Sequence, residues 1–483
     1  MSLISTAGYQ ARKLRKHSHR FAAPKALRAR LSDIPLPVVA LLLTIFLPPE
    51  FDFFFGPMRL NWQRVVLIIC LPIAVSRLCS GRQLKLYSFD FLLVGAFAWY
   101  AFSIFIKEPF ETALQSGGGI FLDAAGGYAI ARAHIINARQ FIATTKLLFI
   151  LVLIAGALAI PESLFHEHFA RNIVAALTGK PPITWIDTRL GLTRAMAVFD
   201  HPILLGAYSA AVFALLWFTE PHLLKRLFCC SLIAIAAFFA LSSAPLLGLI
   251  LILTGAVWER FTRQIPGRAW LTIAGIASLY LIASLFSNRS PLKVLATSLV
   301  FDSNNAWYRV WIWEFGIANV MNSPIIGVPL GFWERPSWMA ADTVDNYWLV
   351  IALWGGLPAL VCLVASIIMA MRAVFCHMET PQDPELRRCR YAWCATVLGL
   401  CFIGATVHFW GTMGVLFTFY IGFGAWLAHI GDGDHQAVGG QAGPISTTRR
   451  HRRSTLRRQV ASAIGAQAGS ECGPTGSGRS TIT

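Results

Sequence analysis

An all-α, polytopic membrane fold with about twelve transmembrane helices is predicted by three features of this sequence. Hydrophobic residues make up 56% of the 483 and charged residues 13%, about half the roughly 25% of an ordinary soluble domain. Apolar segments recur along most of the chain, many of them near the ~20 residues that cross a bilayer as a helix. The basic residues concentrate in alternate connections, as the positive-inside rule requires.

Residues 1–33 form a basic tail, with Arg12 to Arg30 ahead of the first apolar segment at 34–48. No small-residue cleavage site follows Ile34, so this region reads as a cytoplasmic tail and first span rather than a removable signal. Further spans are expected at 62–78, 89–106, 112–131 and 142–160. Gly117-Gly118-Gly119 and Gly126-Gly127 inside the fourth suit close helix packing better than phosphate binding. Spans at 202–218, 227–241, 244–258 and 270–286 follow. Leu227 to Trp258 carries no charge over 32 residues, about 48 Å as one helix, which exceeds a ~30 Å hydrocarbon core. It is therefore divided at Ser242-Ser243-Ala244-Pro245. Spans at 346–371, 391–408 and 412–430 complete the membrane domain, 34–430. The Gly-, Ser- and Arg-rich segment 431–483, with Arg449-Arg450-His451-Arg452-Arg453, is expected to be a disordered cytoplasmic tail resting on anionic lipid.

With both termini inside, the inner segments hold 30 of the 41 Lys and Arg residues and the outer ones 11. Topology thus accounts for the net charge of +17, and no nucleic-acid partner is expected. All ten cysteines fall in spans or on the inner face, so no disulfide framework is expected outside. Only two outer loops are long, 161–201 and 287–345. The second has helical apolar spacing from Trp307 to Val320, which predicts an amphipathic helix on the bilayer surface, broken by Pro324, Gly327, Pro329 and Gly331.

The residues suited to chemistry lie at the mouths of spans. Arg189 and Arg194 stand five apart around Gly191, ahead of the sixth span. Two guanidinium forks suit a diphosphate; the alternative is pairing with Asp187 and Asp200, or contact with headgroups. His201-Pro202 opens that span, proline being suited to a first helical turn. Its imidazole either donates to a phosphate or sugar hydroxyl or is structural. Arg309, between Trp307 and Trp311, is a third clamp or a headgroup contact.

Asp345 and Asn346 stand where the second loop enters the tenth span. A carboxylate beside an apolar wall has a raised pKa and can take a proton from a hydroxyl, and Asp also suits a helix N-cap. His166 and His168 flank Glu167, but their spacing does not match two ligands on one helix face. They read as an exposed loop, and neither a metal nor a cofactor is expected. Asp123, inside the fourth span, is an intramembrane acid with no second acid to make a proton relay. A transporter would need such embedded charge or an internal repeat, and no repeat is visible.

Arg189 to Ala195 followed by Phe199-Asp200-His201-Pro202-Ile203, Tyr308-Arg309 through Asn322-Ser323-Pro324-Ile325-Ile326-Gly327, and Asp345-Asn346-Tyr347-Trp348-Leu349 together resemble the signatures of the O-antigen ligase and polymerase family. The resemblance covers about residues 30–430. It implies a GT-C-like membrane glycosyltransferase of the bacterial inner membrane, independent of metal and acting at the periplasmic face. The implied donor is a glycan on undecaprenyl diphosphate, with a glycan acceptor, membrane lipids and a chain-length regulator as further partners. Arg189, Arg194, Arg309 and Asn346 would bind substrate, while Asp345 and His201 would be catalytic. Ligases of this family commonly have His where Asp345 stands, and the family's Ser-Arg near a span end appears here as Ser242-Ser243-Ala244-Pro245. Both departures point to polymerisation of O-antigen or exopolysaccharide repeats rather than ligation to lipid A-core.

Overall fold

The computed structural model describes residues 29–429, except 57, 82, 83, 263, 266–269, 273, 276, 279, 280, 282–302, 340 and 377–382. The described residues are mostly helical, with two short β-hairpins. The expected tails, apart from residues 29–33, and most of the expected ninth span lie outside them. Helices occupy the other expected spans: α1 (Leu36–Ile45), α2 (Trp62–Cys79), α3 (Ser88–Lys107), α4 (Gly119–His134), α5 (Ala138–Phe165), α6 (Phe169–Thr178, in the first long loop), α7 (Pro202–Thr219), α8 (Leu223–Phe239), α9 (Ser243–Thr262), α10 (Ser303–Asn322, in the second), α11 (Tyr347–Phe375), α12 (Pro384–Gly404) and α13 (Thr412–Phe423). Six of them, α2, α3, α5, α7, α9 and α11, are long and apolar enough to cross a membrane. The break between α8 and α9 falls at the expected serines, and α5 runs through Pro161, past its expected end.

Helix α7 is apolar all round because it is surrounded, with α5, α8, α9 and α12 packed against it. Around this centre α3 lies along α11, and α4 lies between α2 and α13. Small residues permit these approaches. A Cβ on Gly127 would stand 2.7 Å from the Val415 carbonyl, and one on Gly117 3.2 Å from that of Ala101. Gly119 serves a different end: a Cβ there would meet the Arg64 guanidinium at 2.7 Å. That clearance lets Arg64 reach Asp123 at 2.8 Å, so the intramembrane acid is neutralised across the α2–α4 contact.

The connections sort to two ends. At one end Lys146 donates to the Ala29 carbonyl, Lys85 N–H to His429, and Arg132 reaches both Asp90 and the Lys85 carbonyl. At the other end Arg171 joins Glu50, Arg189 reaches the Leu241 carbonyl, His201 meets Trp410, and Asn346 bonds the Ala405 carbonyl. These contacts each join segments that the charge pattern assigns to the same side.

The second end is organised by a broken helix. Within α11, Gly356 is left-handed at φ 76°, and Gly327 in the facing Pro/Gly turn has φ 69°. A Cβ on either would collide with the other segment's backbone, Ile325 O at 2.0 Å and Leu353 O at 2.1 Å. Their backbones are stitched by Leu357 N–H to Pro324 O and Val328 N–H to Leu353 O, each 2.7 Å. Lys107, the last residue of α3, donates to the carbonyls of Ile326, Val328 and Trp354 at 2.6–2.7 Å. Non-helical backbone in an apolar setting is tolerated only when its polar groups are satisfied in this way. The helix expected between Trp307 and Val320 forms as part of α10, and it does not only lie on a surface. Ile312 and Val320 are buried with Trp333, Leu349 and Leu353 in a small separate core.

The buried ion pair gives a stability prediction. Arg64→Leu leaves Asp123 unpaired and should destabilise the protein by about 3–5 kcal/mol. Arg64→Leu with Asp123→Leu should recover most of that loss in reversible unfolding from mixed micelles. A double variant no more stable than the single one would show that the pair does not act as a unit.

Candidate functional site

Arg189 and Arg194 are set by a two-residue hairpin. Strand β3 (Thr188–Arg189) pairs antiparallel with β4 (Leu192–Thr193), Arg189 opposite Leu192. The turn residues Leu190 and Gly191 both have positive φ, 54° and 77°, the conformation that matches strand twist in a tight hairpin. One pair further out, Arg194 N–H donates to the Asp187 carbonyl at 2.9 Å, so these two residues are cross-strand neighbours. Their side chains form an ion pair at 2.6 Å. The expected pairing with Asp187 is therefore present, whereas Asp200 lies against Gly411, within electrostatic reach of Arg171 and Arg59. Arg194 is 4% exposed, and its Nε remains buried without a hydrogen-bond partner. Arg189 donates from Nη1 to the Leu241 carbonyl at 3.1 Å, fixing the hairpin to the α8–α9 turn.

His201 is the N-cap of α7, its Nδ1 accepting from Ile203 N–H at 3.2 Å. Burial, reinforced by Arg194 and then countered in part by Asp187, pulls the imidazole down to about pKa 4. Its ring stacks on Trp185 (centroids 6.1 Å) and meets Trp410 edge-on (5.6 Å). A neutral ring whose Nδ1 accepts carries its proton on Nε2. His201 is thus a hydrogen-bond donor at neutral pH, and its one basic nitrogen is occupied.

Arg309, on α10, comes into electrostatic reach of Arg194 although 115 positions separate them in the chain. Burial lowers its pKa, Asp345 opposes that fall, and Arg194 adds to it. Asp345 completes the group: burial raises its carboxyl pKa, while Arg309 and Arg194 hold it down. No ion pair within 4.0 Å forms between Asp345 and Arg309 among the described residues. Two arginines and one acid thus lie within electrostatic reach of one another, Arg194 already being paired with Asp187.

Asn346, expected among the substrate-binding residues, is placed otherwise. It caps α11, accepting from Leu349 N–H at 2.8 Å and donating to the Ala405 carbonyl, and it is 1% exposed. Both halves of its amide are engaged by the fold, so its work is structural. The capping role considered for Asp345 belongs to Asn346. The segment around Glu167 also departs from expectation. His166 is exposed and bonds Thr193 Oγ1, but His168 is buried, bonded to Glu162, whose carboxylate also accepts from Met196 and Ala197 N–H. This network holds the hairpin to α5.

Sequence reasoning overlooked the short loop 49–61, although it carries much of the charge at this end. Its hairpin pairs β1 (Phe53–Phe55) with β2 (Met58–Leu60), and Asp52 contacts both Arg59 and Lys180. Glu50 pairs with Arg171 of α6, which also donates to Phe199 O at 3.0 Å. The Pro48-Pro49-Glu50 sequence followed by an aromatic run around Gly56 was the available signal.

The His201 geometry makes a prediction for its titration. In 15N-histidine spectra of the protein in nanodiscs, His201 should remain the neutral Nε2–H tautomer from about pH 5 to 8. A midpoint near the ordinary value of about 6.5 would contradict the buried, cation-flanked position described here. No family model and no curated protein matches this sequence, so the chemistry of the site rests on its own residues.

Proposed function

We propose that the protein is a metal-independent glycosyltransferase of a bacterial inner membrane, spanning it about twelve times with both termini cytoplasmic. Its reaction would be polymerisation of oligosaccharide repeats carried on undecaprenyl diphosphate. The observation that carries this reading is that Arg194, Arg309 and Asp345 come within electrostatic reach of one another, two cations and one acid drawn from two distant loops. Arg194 keeps its buried Nε unfilled beside its bond to Asp187, and a diphosphate could accept from both guanidinium groups at once.

In the proposed reaction the acceptor hydroxyl oxygen attacks the anomeric carbon of the donor glycan. The bond from that carbon to the diphosphate oxygen breaks, and its electron pair leaves with the diphosphate. Arg194 and Arg309 face the charge that develops there, in a poorly hydrated site where fixed cations act strongly. Asp345 takes the hydroxyl proton, and His201 Nε2–H donates to a phosphate or sugar oxygen. Arg189 supports the pocket through its hold on Leu241 and its field at His201. Asp345 in place of the histidine common in ligases of the resembled family favours polymerisation over ligation. The pairing of Asp123 with Arg64 supports a structural role for that acid rather than a transport pathway.

The test is polymer synthesis from a lipid-linked repeat. Arg194→Lys and Arg309→Lys keep the charge and lose the planar fork, so rate should fall on the order of a hundredfold at equal protein level. Asp345→Asn should fall at least as far without loss of folded protein, because Asn346 supplies the cap. A base must be deprotonated to act, and burial raises the Asp345 pKa. Wild-type activity should therefore fall with acid at a pH above the ordinary carboxylate value of about 3.9. Near-normal polymer in both lysine variants would reduce the arginines to headgroup contacts.

A further inference from the structure

Beside the arginine pocket lies a cleft of about 290 Å³, lined among others by Trp62, Gln63, Gln115, Asp200, Trp410 and Thr412. It is formed by the end of α1, the β1–β2 hairpin, the start of α2 and the start of α13. The two sites adjoin. Trp410 lines the cleft and touches the His201 ring, and Asp200 precedes His201 in the chain. A π-helical turn at Leu114–Gly118 brings Gln115 to the cleft, an irregularity often found at functional sites.

The two sites differ in charge. Asp52, Arg59 and Arg64 also line the cleft, but Asp52 contacts Arg59 and Lys180, and Arg64 is engaged by Asp123. The cations are matched, and Asp200 closes no ion pair among the described residues. A diphosphate would find no surplus positive charge here, in contrast to the Arg194–Arg309 pocket. What the cleft offers instead is neutral and planar. Gln63 is 2% exposed, and its Nε2 has no hydrogen-bond partner; neither has the buried Thr412 Oγ1. An unfilled buried amide and hydroxyl, a carboxyl with raised pKa, an exposed amide and two indoles suit a ring with many hydroxyls and an apolar face. The volume is near the lower end of the roughly 300–1,000 Å³ of small-molecule sites, enough for one sugar unit rather than a chain.

We propose that this cleft is the subsite for the terminal sugar of the acceptor glycan, held by Gln63, Gln115, Asp200 and Thr412 between Trp62 and Trp410. The assignment rests on the glycosyl-transfer reading for the word acceptor, while the binding of a neutral sugar stands independently. An acceptor sugar seated here lies beside His201, close to the donor diphosphate on the arginine side.

The test is saturation-transfer NMR of the full chain in nanodiscs, with glucose, galactose, mannose, rhamnose and N-acetylglucosamine as probes. At least one should give a signal that persists in inorganic diphosphate and in Arg309→Lys. Gln115→Leu, at an exposed position where the fold tolerates change, should weaken that sugar about tenfold, as expected for one lost hydrogen bond to a hydroxyl. The same variant should raise KM for acceptor and leave kcat within about twofold. A signal displaced by inorganic diphosphate, or unchanged in Gln115→Leu, would overturn the subsite, as would the absence of signal from all five sugars. Failure of the two readings is separable. Sugar binding without polymer synthesis removes the transferase and keeps the sugar cleft, whereas synthesis with an unaltered KM in Gln115→Leu does the reverse.

Discussion

One ammonium group underlies the architecture of the site. Lys107 ends α3 and donates to three carbonyls, two from the Pro/Gly turn after α10 and one from the break in α11. Without those bonds the three carbonyls would be unsatisfied in an apolar setting, at a cost of several kcal/mol each. The break has a structural return. It lets the turn at Gly327 press against α11, and that seats α10 and carries Arg309 toward Asp345. Glu108, the next residue, extends the same contact by accepting from Leu330 N–H at 2.8 Å.

A second set of constraints acts from the opposite side. Glu162 gathers Met196 N–H, Ala197 N–H and His168, so the strand end after Arg194 is held to α5. Arg171 ties the same segment to the first loop through Glu50. The hairpin that bears Arg189 and Arg194 is thereby fixed by buried polar bonds together with the core packing of Ala195 to Phe199, and its arginines lose little freedom when an anion arrives. Tight fixation also explains the spare capacity: Arg194 gives one nitrogen to Asp187 and keeps Nε unfilled.

Hydropathy made the helices legible, and motif spacing singled out the arginines and the acid that the fold brings within electrostatic reach of one another. What the sequence concealed was pairing across the fold. Asp123 reads alone as an isolated acid, and only the α2–α4 contact at Gly119 reveals Arg64 as its partner. Asp345 and Asn346 are adjacent and chemically similar, so local propensity does not decide which of them caps α11. The geometry of Leu349 and Ala405 does. The kink at Gly356 is hidden within a long apolar run, because Gly355-Gly356 followed by Pro358 is also compatible with a merely bent helix. The loop 49–61 was passed over because the partners that give Glu50 and Asp52 their place, Arg171 and Lys180, lie more than a hundred residues away.

Two basic regions sit at opposite ends of the helices, Arg194 and Arg309 beside Asp345 at one and Lys85, Arg132 and Lys146 at the other. The most direct measurement is a cryo-EM map of the protein in nanodiscs with an undecaprenyl-diphosphate-linked sugar. The diphosphate should appear between Arg194 and Arg309, with the sugar directed toward Asp345. Diphosphate density at the Lys85–Arg132–Lys146 end, with the Arg194–Arg309 pocket empty, would contradict the account.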